Sequence, residues 1–324
     1  MLLIFILFSL TYHQVQIDGN LSDFYDYERV YSDKPRDSYW GAQNELKDLY
    51  ITWDKNNIYL GIEYIVQNNA LLIIFGTGEE GLQDLDNLNF YPRNIKLVGF
   101  SANFMIALWD ADFSKGGFRK ISINGSTSDL TSSIEIFNNG KSGVNSILEA
   151  RIPFNILFGG SFKQNANVII AALIAGGDHF GAGDVLPDNE DVDGIPPDHV
   201  RRILKIYLDK DLDSKPDSGV KPLEHAEIEE KSFEKIFLKE FSVDKEIIFE
   251  GNSVKAQVKL SETSYVSLAL INENGRLYKK IYEGPIVGEE LKEFIFKIEN
   301  QGLYILLLDI RGKLKEKKVI KVLR

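Results

Sequence analysis

Apolar and polar residues alternate along most of the chain, and this period of two predicts β-strands. Residues 49–54 and 58–65 alternate on either side of Lys55-Asn56-Asn57, which predicts a β-hairpin. Residues 70–75 are all apolar and end at Gly76, which predicts a fully buried strand. The other strands predicted in the first two thirds of the chain are 15–19, 104–109, 117–123, 133–137, 147–152, 168–175 and 201–208.

Helical signals are scarce in the same part of the chain. Residues 153–158 suggest a helical turn that begins at Pro153. About ten strands without intervening amphipathic helices predict a large antiparallel β-sandwich, jelly-roll-like, over residues 15–209. Residues 210–235 are rich in Asp, Lys, Pro and Ser, and we predict a linker there.

Strands recur at short intervals in residues 236–324. The predicted ones are 237–243, 253–260, 265–271, 277–282, 291–298, 302–309 and 317–322. Asn274-Gly275 lies between the third and the fourth of these and is a strong hairpin-turn signal. Seven short strands in this length are typical of an immunoglobulin-like β-sandwich. The fold class predicted for the whole chain is therefore all-β, with two sandwiches.

The amino-acid composition narrows the range of binding partners and of possible site chemistry. The chain has 324 residues and a formal net charge of −11, which argues against a nucleic-acid partner. The charge is uneven: residues 235–324 carry 17 basic and 13 acidic side chains, a net of +4, and the rest of the chain carries a net of −15. There is no cysteine, which excludes disulfides, zinc–thiolate sites and thiol catalysis.

The first ten residues, MLLIFILFSL, form an apolar run that is too short to span a bilayer. This run resembles the apolar part of a secretory signal, so residues 1–14 are predicted to be a leader. The alternative is a first core strand. A leader implies a secreted, periplasmic or cell-surface protein without further membrane insertion.

Two motifs in the N-terminal part carry a family resemblance. Ile17-Asp18-Gly19 precedes Asp23-Phe24, and residues 48–54 read DLYITWD before Asn57-Ile58-Tyr59-Leu60. This layout resembles family 9 carbohydrate-binding modules and DOMON-like sandwiches, and residues 175–188 are similar to a late loop of sandwich domains attached to glucodextranase-type enzymes. The resemblance implies a secreted, glycan-associated sandwich that often holds calcium.

The C-terminal part also resembles a known module. Residues 270–277 read LINENGRL, and Gly302-Leu303-Tyr304 follows later. These features are similar to the immunoglobulin-like domain of the flagellar hook-cap protein. The resemblance implies a spacer or docking unit that contacts cell-envelope protein.

Carboxylates in one long loop suggest a metal site. Asn189, Asp191 and Asp193 are followed by Gly194, which matches positions 1, 3, 5 and 6 of a calcium-binding loop, although Val200 replaces the expected Glu at position 12. Asp184 and Asp188 lie in the same loop and complete the predicted ligand set. Oxygen ligands favour calcium over transition metals. The alternative is a solvated acidic loop.

Aromatic residues supply the candidate sugar contacts. Tyr39 and Trp40 lie in a predicted loop and Trp109 ends a predicted strand, so these rings could stack on a polysaccharide or cell-surface glycan. Arg93 is a candidate polar contact. For each ring the alternative is core packing, which we expect for Trp53.

The sequence contains no GxSxG, HExxH, P-loop or dinucleotide-binding motif. The leading hypothesis is therefore an exported, non-enzymatic, calcium-stabilised protein that binds glycan or associates with the cell surface. One alternative is a structural cell-envelope protein that mediates protein contacts. Another is an accessory part of a glycoside hydrolase system with its own activity.

Overall fold

The computed structural model describes residues 15–160, 162–231, 238–261, 264–310 and 314–324. Strands dominate this part of the chain, so the predicted all-β class is confirmed. The predicted leader, residues 1–14, lies outside the described residues. No helix in the described ranges has the length and apolar content needed to cross a bilayer.

The N-terminal unit contains fifteen strands and two short helices among the residues described. The strands are β1 (Arg29–Ser32), β2 (Glu45–Trp53), β3 (Asn57–Ile65), β4 (Ala70–Gly76), β5 (Ile95–Leu97), β6 (Phe104–Trp109), β7 (Asp112–Ile121), β8 (Thr127–Asp129), β9 (Glu135–Asn138), β10 (Ser146–Pro153), β11 (Asn167–Ala175), β12 (Ala182–Leu186), β13 (Asp198–Val200), β14 (Arg202–Tyr207) and β15 (Ala226–Glu230). The helices are α1 (Phe154–Phe158) and α2 (Pro222–His225).

Two sheets form the N-terminal sandwich. The first has the order β1-β2-β3-β10-β9, and the second has the order β15-β14-β11-β4-β6-β7-β8, with β12 also paired to β11. Pairing within both sheets is antiparallel. A separate parallel pair joins β13 to β5. The predicted hairpin is confirmed as β2–β3, where the Asp54 carboxylate accepts hydrogen bonds from the backbone N–H groups of Asn56 and Asn57.

The second sheet is covered on both faces. One face meets the first sheet in an apolar cluster that includes Ile73, Ile106 and Ile170, which we call the first core. The other face packs against the long loops before β6 and after β11 in a second core that includes Leu72 and Met105. Strand β4 is therefore buried along its whole length, as its unbroken apolar sequence predicted. The loops after β11 carry most of the predicted metal ligands.

The segment predicted as a linker belongs partly to this sandwich. Strand β15 lies within residues 210–235 and pairs with β14 from Arg202↔Glu230 to Ile206↔Ala226. The indole N–H of Trp53 donates a 2.7 Å hydrogen bond to the backbone oxygen of Asp217. Residues 210–231 are thus structured, and residues 232–235 lie outside the description. At the other end, no strand forms at 15–19; Val15 instead packs with Phe24 and Tyr59.

Eight described strands make the C-terminal unit. They are β16 (Leu238–Val243), β17 (Ile247–Phe249), β18 (Ser253–Leu260), β19 (Ser264–Asn272), β20 (Leu277–Ile286), β21 (Leu291–Lys297), β22 (Gly302–Ile310) and β23 (Leu314–Leu323). They form sheets of order β16-β18-β21 and β17-β23-β22-β19-β20 around one apolar core. This two-sheet arrangement is immunoglobulin-like, and the Asn274-Gly275 turn joins β19 to β20 as predicted.

Candidate functional site

Two loops meet at one edge of the N-terminal sandwich. The loop between β1 and β2 reaches β12, where the backbone N–H of Tyr39 donates to the backbone oxygen of Gly183 at 2.8 Å. The hydroxyl of Ser38 donates to the same oxygen at 3.3 Å. The N–H of Leu46 donates to Oδ2 of Asp184 at 2.7 Å. Residues about 140 positions apart in sequence therefore build one surface.

An aromatic patch occupies this surface, and we define it as Tyr39, Trp40 and Phe180. Tyr39 is 64% exposed and Phe180 is 48% exposed. Trp40 is half-buried, with its ring centroid 6.2 Å from that of Phe180. An added Cβ at Gly183 would lie 2.2 Å from the Trp40 ring, and one at Gly194 would lie 2.6 Å from its Nε1. The two glycines thus let the backbone pack directly on the indole.

A group of carboxylates lies beside the aromatic patch. One oxygen from each of Asp33, Asp37 and Asp184 lies within 4.8 Å of the others. Glu45 and Asp188 border the group, since each raises the pKa of one or more of its members. We call these five residues the carboxylate cluster. Asp37 lies two positions before Tyr39 in the β1–β2 loop, and Asp184 follows Gly183 in β12, so the cluster lies next to the aromatic patch.

The surroundings of the carboxylate cluster disfavour the negatively charged form of its carboxyl groups. Burial, followed by the nearby acidic groups, raises the pKa of Asp33 to about 11. Burial raises the pKa of Asp184 to about 7, against hydrogen bonds from the N–H groups of Leu46 and Val185. The pKa of Asp37 is also raised, first by burial and then by Asp188 and Glu45. These acids need a proton or a bound cation to stay in this position.

The predicted calcium-binding loop has other contacts. The Asn189 side chain bonds to the backbone of Arg201 and Arg202. Asp191 accepts a hydrogen bond from the Arg201 guanidinium, and Asp193 accepts one from the N–H of Ile195. Within the described ranges, these acids do not form a group of three with ligand oxygens within 4.8 Å of one another.

Asp184 and Asp188 are therefore the predicted ligands that the structure places among other carboxylates. Asp188 also interacts with Tyr31, whose hydroxyl donates to Oδ1 of Asp188 at 3.0 Å and accepts from its N–H at 3.2 Å.

Trp109 and Arg93 are not part of the aromatic patch. Trp109 is half-buried against the second core, whereas Trp40 packs on the first. Arg93 is 1% exposed, and its guanidinium donates to Asp178 at 2.8 Å and lies over the Tyr91 ring at 4.9 Å. Its guanidinium group is buried in the protein, which does not suit the predicted role as a polar sugar contact. Trp53 is 9% exposed within the first core, as expected.

A second acidic group joins Asp209, Asp211 and Asp217. Asp209 is fully buried, but its oxygens accept hydrogen bonds from the N–H groups of Asn165, Asp213 and Ser214. Asp217 accepts one from the N–H of Lys210. Backbone donors thus satisfy much of this group, in contrast to the carboxylate cluster.

Sequence reasoning missed Asp33, Asp37, Glu45 and Phe180. Asp33 and Asp37 stand in a short polar segment, and their spacing matches no metal-binding loop. They meet Asp184 because β2 runs beside β12, a tertiary contact with no local signature. The available signal was the presence of two aspartates, Asp33 and Asp37, shortly before Tyr39 and Trp40 in the sequence.

No family model matches the chain, and no curated protein matches it. Similar solved structures include the BSP domain of a biofilm associated protein, the D00-D0 domain of Intimin, and an alkylpurine DNA glycosylase from Pseudomonas fluorescens. Their sequence identities are 11%, 12% and 9%, and their TM-scores are 0.24, 0.23 and 0.22. The alignments cover 92%, 59% and 27% of this chain, and 54%, 78% and 30% of those chains. The chain thus spans less than two thirds of the length of the first and the third of these structures.

Proposed function

We propose that this is an exported, surface-associated protein without enzymatic activity, whose N-terminal sandwich binds glycan through the aromatic patch. The observation that carries the proposal is the convergence of Tyr39, Trp40 and Phe180 from two loops. Exposed aromatic rings stack on the apolar face of sugars. Tyr39 and Phe180 present such rings at this edge of the sandwich.

The test is binding of α-glucans, xylan and peptidoglycan, measured by affinity electrophoresis and calorimetry. The double variant Tyr39→Ala/Phe180→Ala removes two exposed rings and should weaken binding at least tenfold. Phe137→Ala removes a similarly exposed ring elsewhere on the unit and should leave binding unchanged. Absence of binding by the unmodified protein to all three polymers contradicts the proposal.

A second candidate function is protein contact through the C-terminal unit. The outer face of its five-stranded sheet carries an apolar row in direct register, Leu277–Ile271–Ile305–Val319. Leu277 is 63% exposed and Val319 is 47% exposed. Rows of exposed apolar residues are typical of protein interaction surfaces. Val319→Lys should reduce retention of the protein on envelope preparations under this second function, and Tyr39→Ala should not.

A further inference from the structure

We propose that the carboxylate cluster binds one divalent cation of the calcium type, and that this cation joins the β1–β2 loop to β12. The ligands would come from Asp33, Asp37, Glu45, Asp184 and Asp188. The inference does not depend on glycan binding, because it rests on the carboxylates alone. It also differs from the calcium-loop prediction, since Asn189, Asp191 and Asp193 take no part.

The first support is geometry. Oxygens of Asp33, Asp37 and Asp184 lie within 4.8 Å of one another, a separation that one ion with ligands at about 2.3–2.6 Å can bridge. Asp188 lies near enough to raise the pKa of both Asp33 and Asp37. The cluster thus gathers its oxygens around one region from two separate parts of the chain.

The second support is a set of buried oxygens without partners. Glu45 is 5% exposed; its Oε1 accepts a hydrogen bond from the N–H of Arg36, while its Oε2 has no partner. Both carboxylate oxygens of Asp33 and Oδ1 of Asp37 are likewise buried and unpartnered. Glu45 raises the pKa of both Asp37 and Asp184, which places its charge at the cluster. Buried carboxylate oxygens are costly unless a donor or a cation satisfies them.

The local charges do not balance the cluster. Lys34 lowers the pKa of Asp37, but this effect is smaller than the raising effects of burial, Asp188 and Glu45. Arg202 donates to the backbone oxygen of Asp188 and not to its carboxylate. A divalent cation would therefore supply charge that the neighbouring side chains do not.

The ligand type selects the cation. All five side chains offer oxygen, and calcium accepts six to eight oxygen ligands in flexible geometry, with water filling open positions. Magnesium demands near-ideal octahedral geometry, and zinc and copper favour imidazole or thiolate ligands. Calcium should thus bind more tightly than magnesium.

The competing account is a shared proton. The buried carboxyl group of Asp33 would also be tolerated beside Asp184 and Asp188 if one of these groups were protonated, because protonation removes the repulsion between like charges. A shared proton predicts no response to calcium near pH 7. Addition of the metal therefore separates the two accounts.

The experiment uses the full chain after chelator treatment, titrated with calcium chloride in a calorimeter near pH 7 and melted with and without calcium. We expect one tight site, a melting temperature that rises by several degrees, and at least tenfold weaker binding of magnesium. No heat and no change in melting temperature would overturn the proposal.

Matched variants locate the site. Asp37→Asn and Glu45→Gln should each weaken calcium binding at least tenfold. Asp211→Asn changes the second acidic group and should leave the affinity unchanged. Asp37 is partly exposed, so Asp37→Asn decides the question even if Glu45→Gln does not fold. Unchanged affinity in Asp37→Asn, or loss of binding in Asp211→Asn alone, would overturn the assignment. Glycan binding is measured separately, so its failure leaves this result intact.

Discussion

Gly183 lies so close to Trp40 that a side chain at this position decides whether the aromatic patch can form. An added Cβ would lie 2.2 Å from the ring. We predict that Gly183→Ala destabilises the N-terminal unit by roughly 1–3 kcal/mol, the usual cost of overpacking. Urea unfolding measures the change. Gly177→Ala is the matched control, because nothing lies within 4 Å of its added Cβ.

Equal stability of the two glycine variants would mean that the indole moves aside freely. In that case Trp40 would not be fixed by its packing, and the patch would not be a preformed surface. A loss confined to Gly183→Ala supports a rigid ring, held in place before any ligand arrives.

Glu149 shows how one buried acid holds the N-terminal segment. Its Oε2 accepts hydrogen bonds from the N–H groups of Asp18 and Gly19, at 2.9 and 2.5 Å. Its Oε1 is buried without a partner. Burial raises the pKa of Glu149 above its ordinary value, despite these two hydrogen bonds.

The sign of the pH effect follows from this shift. Glu149 stays protonated to a higher pH in the folded protein than in the unfolded chain. The free energy of unfolding therefore falls as pH rises from the pKa of Glu149 in the unfolded chain through its pKa in the folded protein. We predict that the unmodified protein loses stability relative to Glu149→Gln, which does not titrate, as pH rises through the raised pKa of Glu149. Urea unfolding at several pH values tests this. A constant difference would show that the carboxyl titrates alike in both states.

At the scale of elements, the segment 210–231 belongs to the sandwich and not to a free connection. Strand β15 extends the second sheet beyond β14, and the Asp217 backbone oxygen accepts from Trp53. We predict that a chain ending at residue 209 is less stable than one ending at residue 231 by about 3 kcal/mol, since several backbone hydrogen bonds contribute about 1 kcal/mol each. Denaturant midpoints of the two chains test this, and equal midpoints would contradict it.

The strands that can be predicted from the sequence are those whose signals lie within a few neighbouring residues. The β2–β3 hairpin and β4 are predicted because alternation, turn residues and an unbroken apolar run act over a few neighbours. β12 reads AGDVL, without alternation, and is a strand because β11 pairs with it. β15 has the sequence AEIEE, which is typical of a solvent-exposed linker. It is a strand because it pairs with the free edge of β14.

The residues of the candidate site also divide into those with a local sequence signal and those that depend on tertiary contacts. Tyr39, Trp40, Asp184 and Asp188 stand out by residue type, so sequence analysis finds them. Asp33, Asp37, Glu45 and Phe180 gain their significance from contacts between β2, β12 and their loops, which no local spacing reveals. The calcium-loop spacing at Asn189–Gly194 arises instead in a loop whose side chains bond to Arg201, Arg202 and Ile195.

At the scale of the whole molecule, the two units differ in charge and in what should stabilise them. The carboxylate cluster belongs to the acidic N-terminal unit, whereas residues 235–324 carry a net charge of +4. A cation bound at the cluster should therefore stabilise the first unit and leave the second unaffected. A ligand that binds only the folded state raises the free energy of unfolding by about 2.7 kcal/mol when its free concentration is one hundred times its dissociation constant.

We therefore predict two calorimetric transitions for the full chain, of which calcium raises only one. Leu306→Ala identifies the other, because Leu306 is fully buried in the C-terminal core and its truncation should cost about 2–5 kcal/mol. In a unit of this size such a loss lowers the melting temperature by about 10 °C or more. If calcium and Leu306→Ala shift the same transition, the two units unfold together and the separation inferred from their distinct cores is wrong. Shifts of different transitions would tie the cation to the N-terminal sandwich.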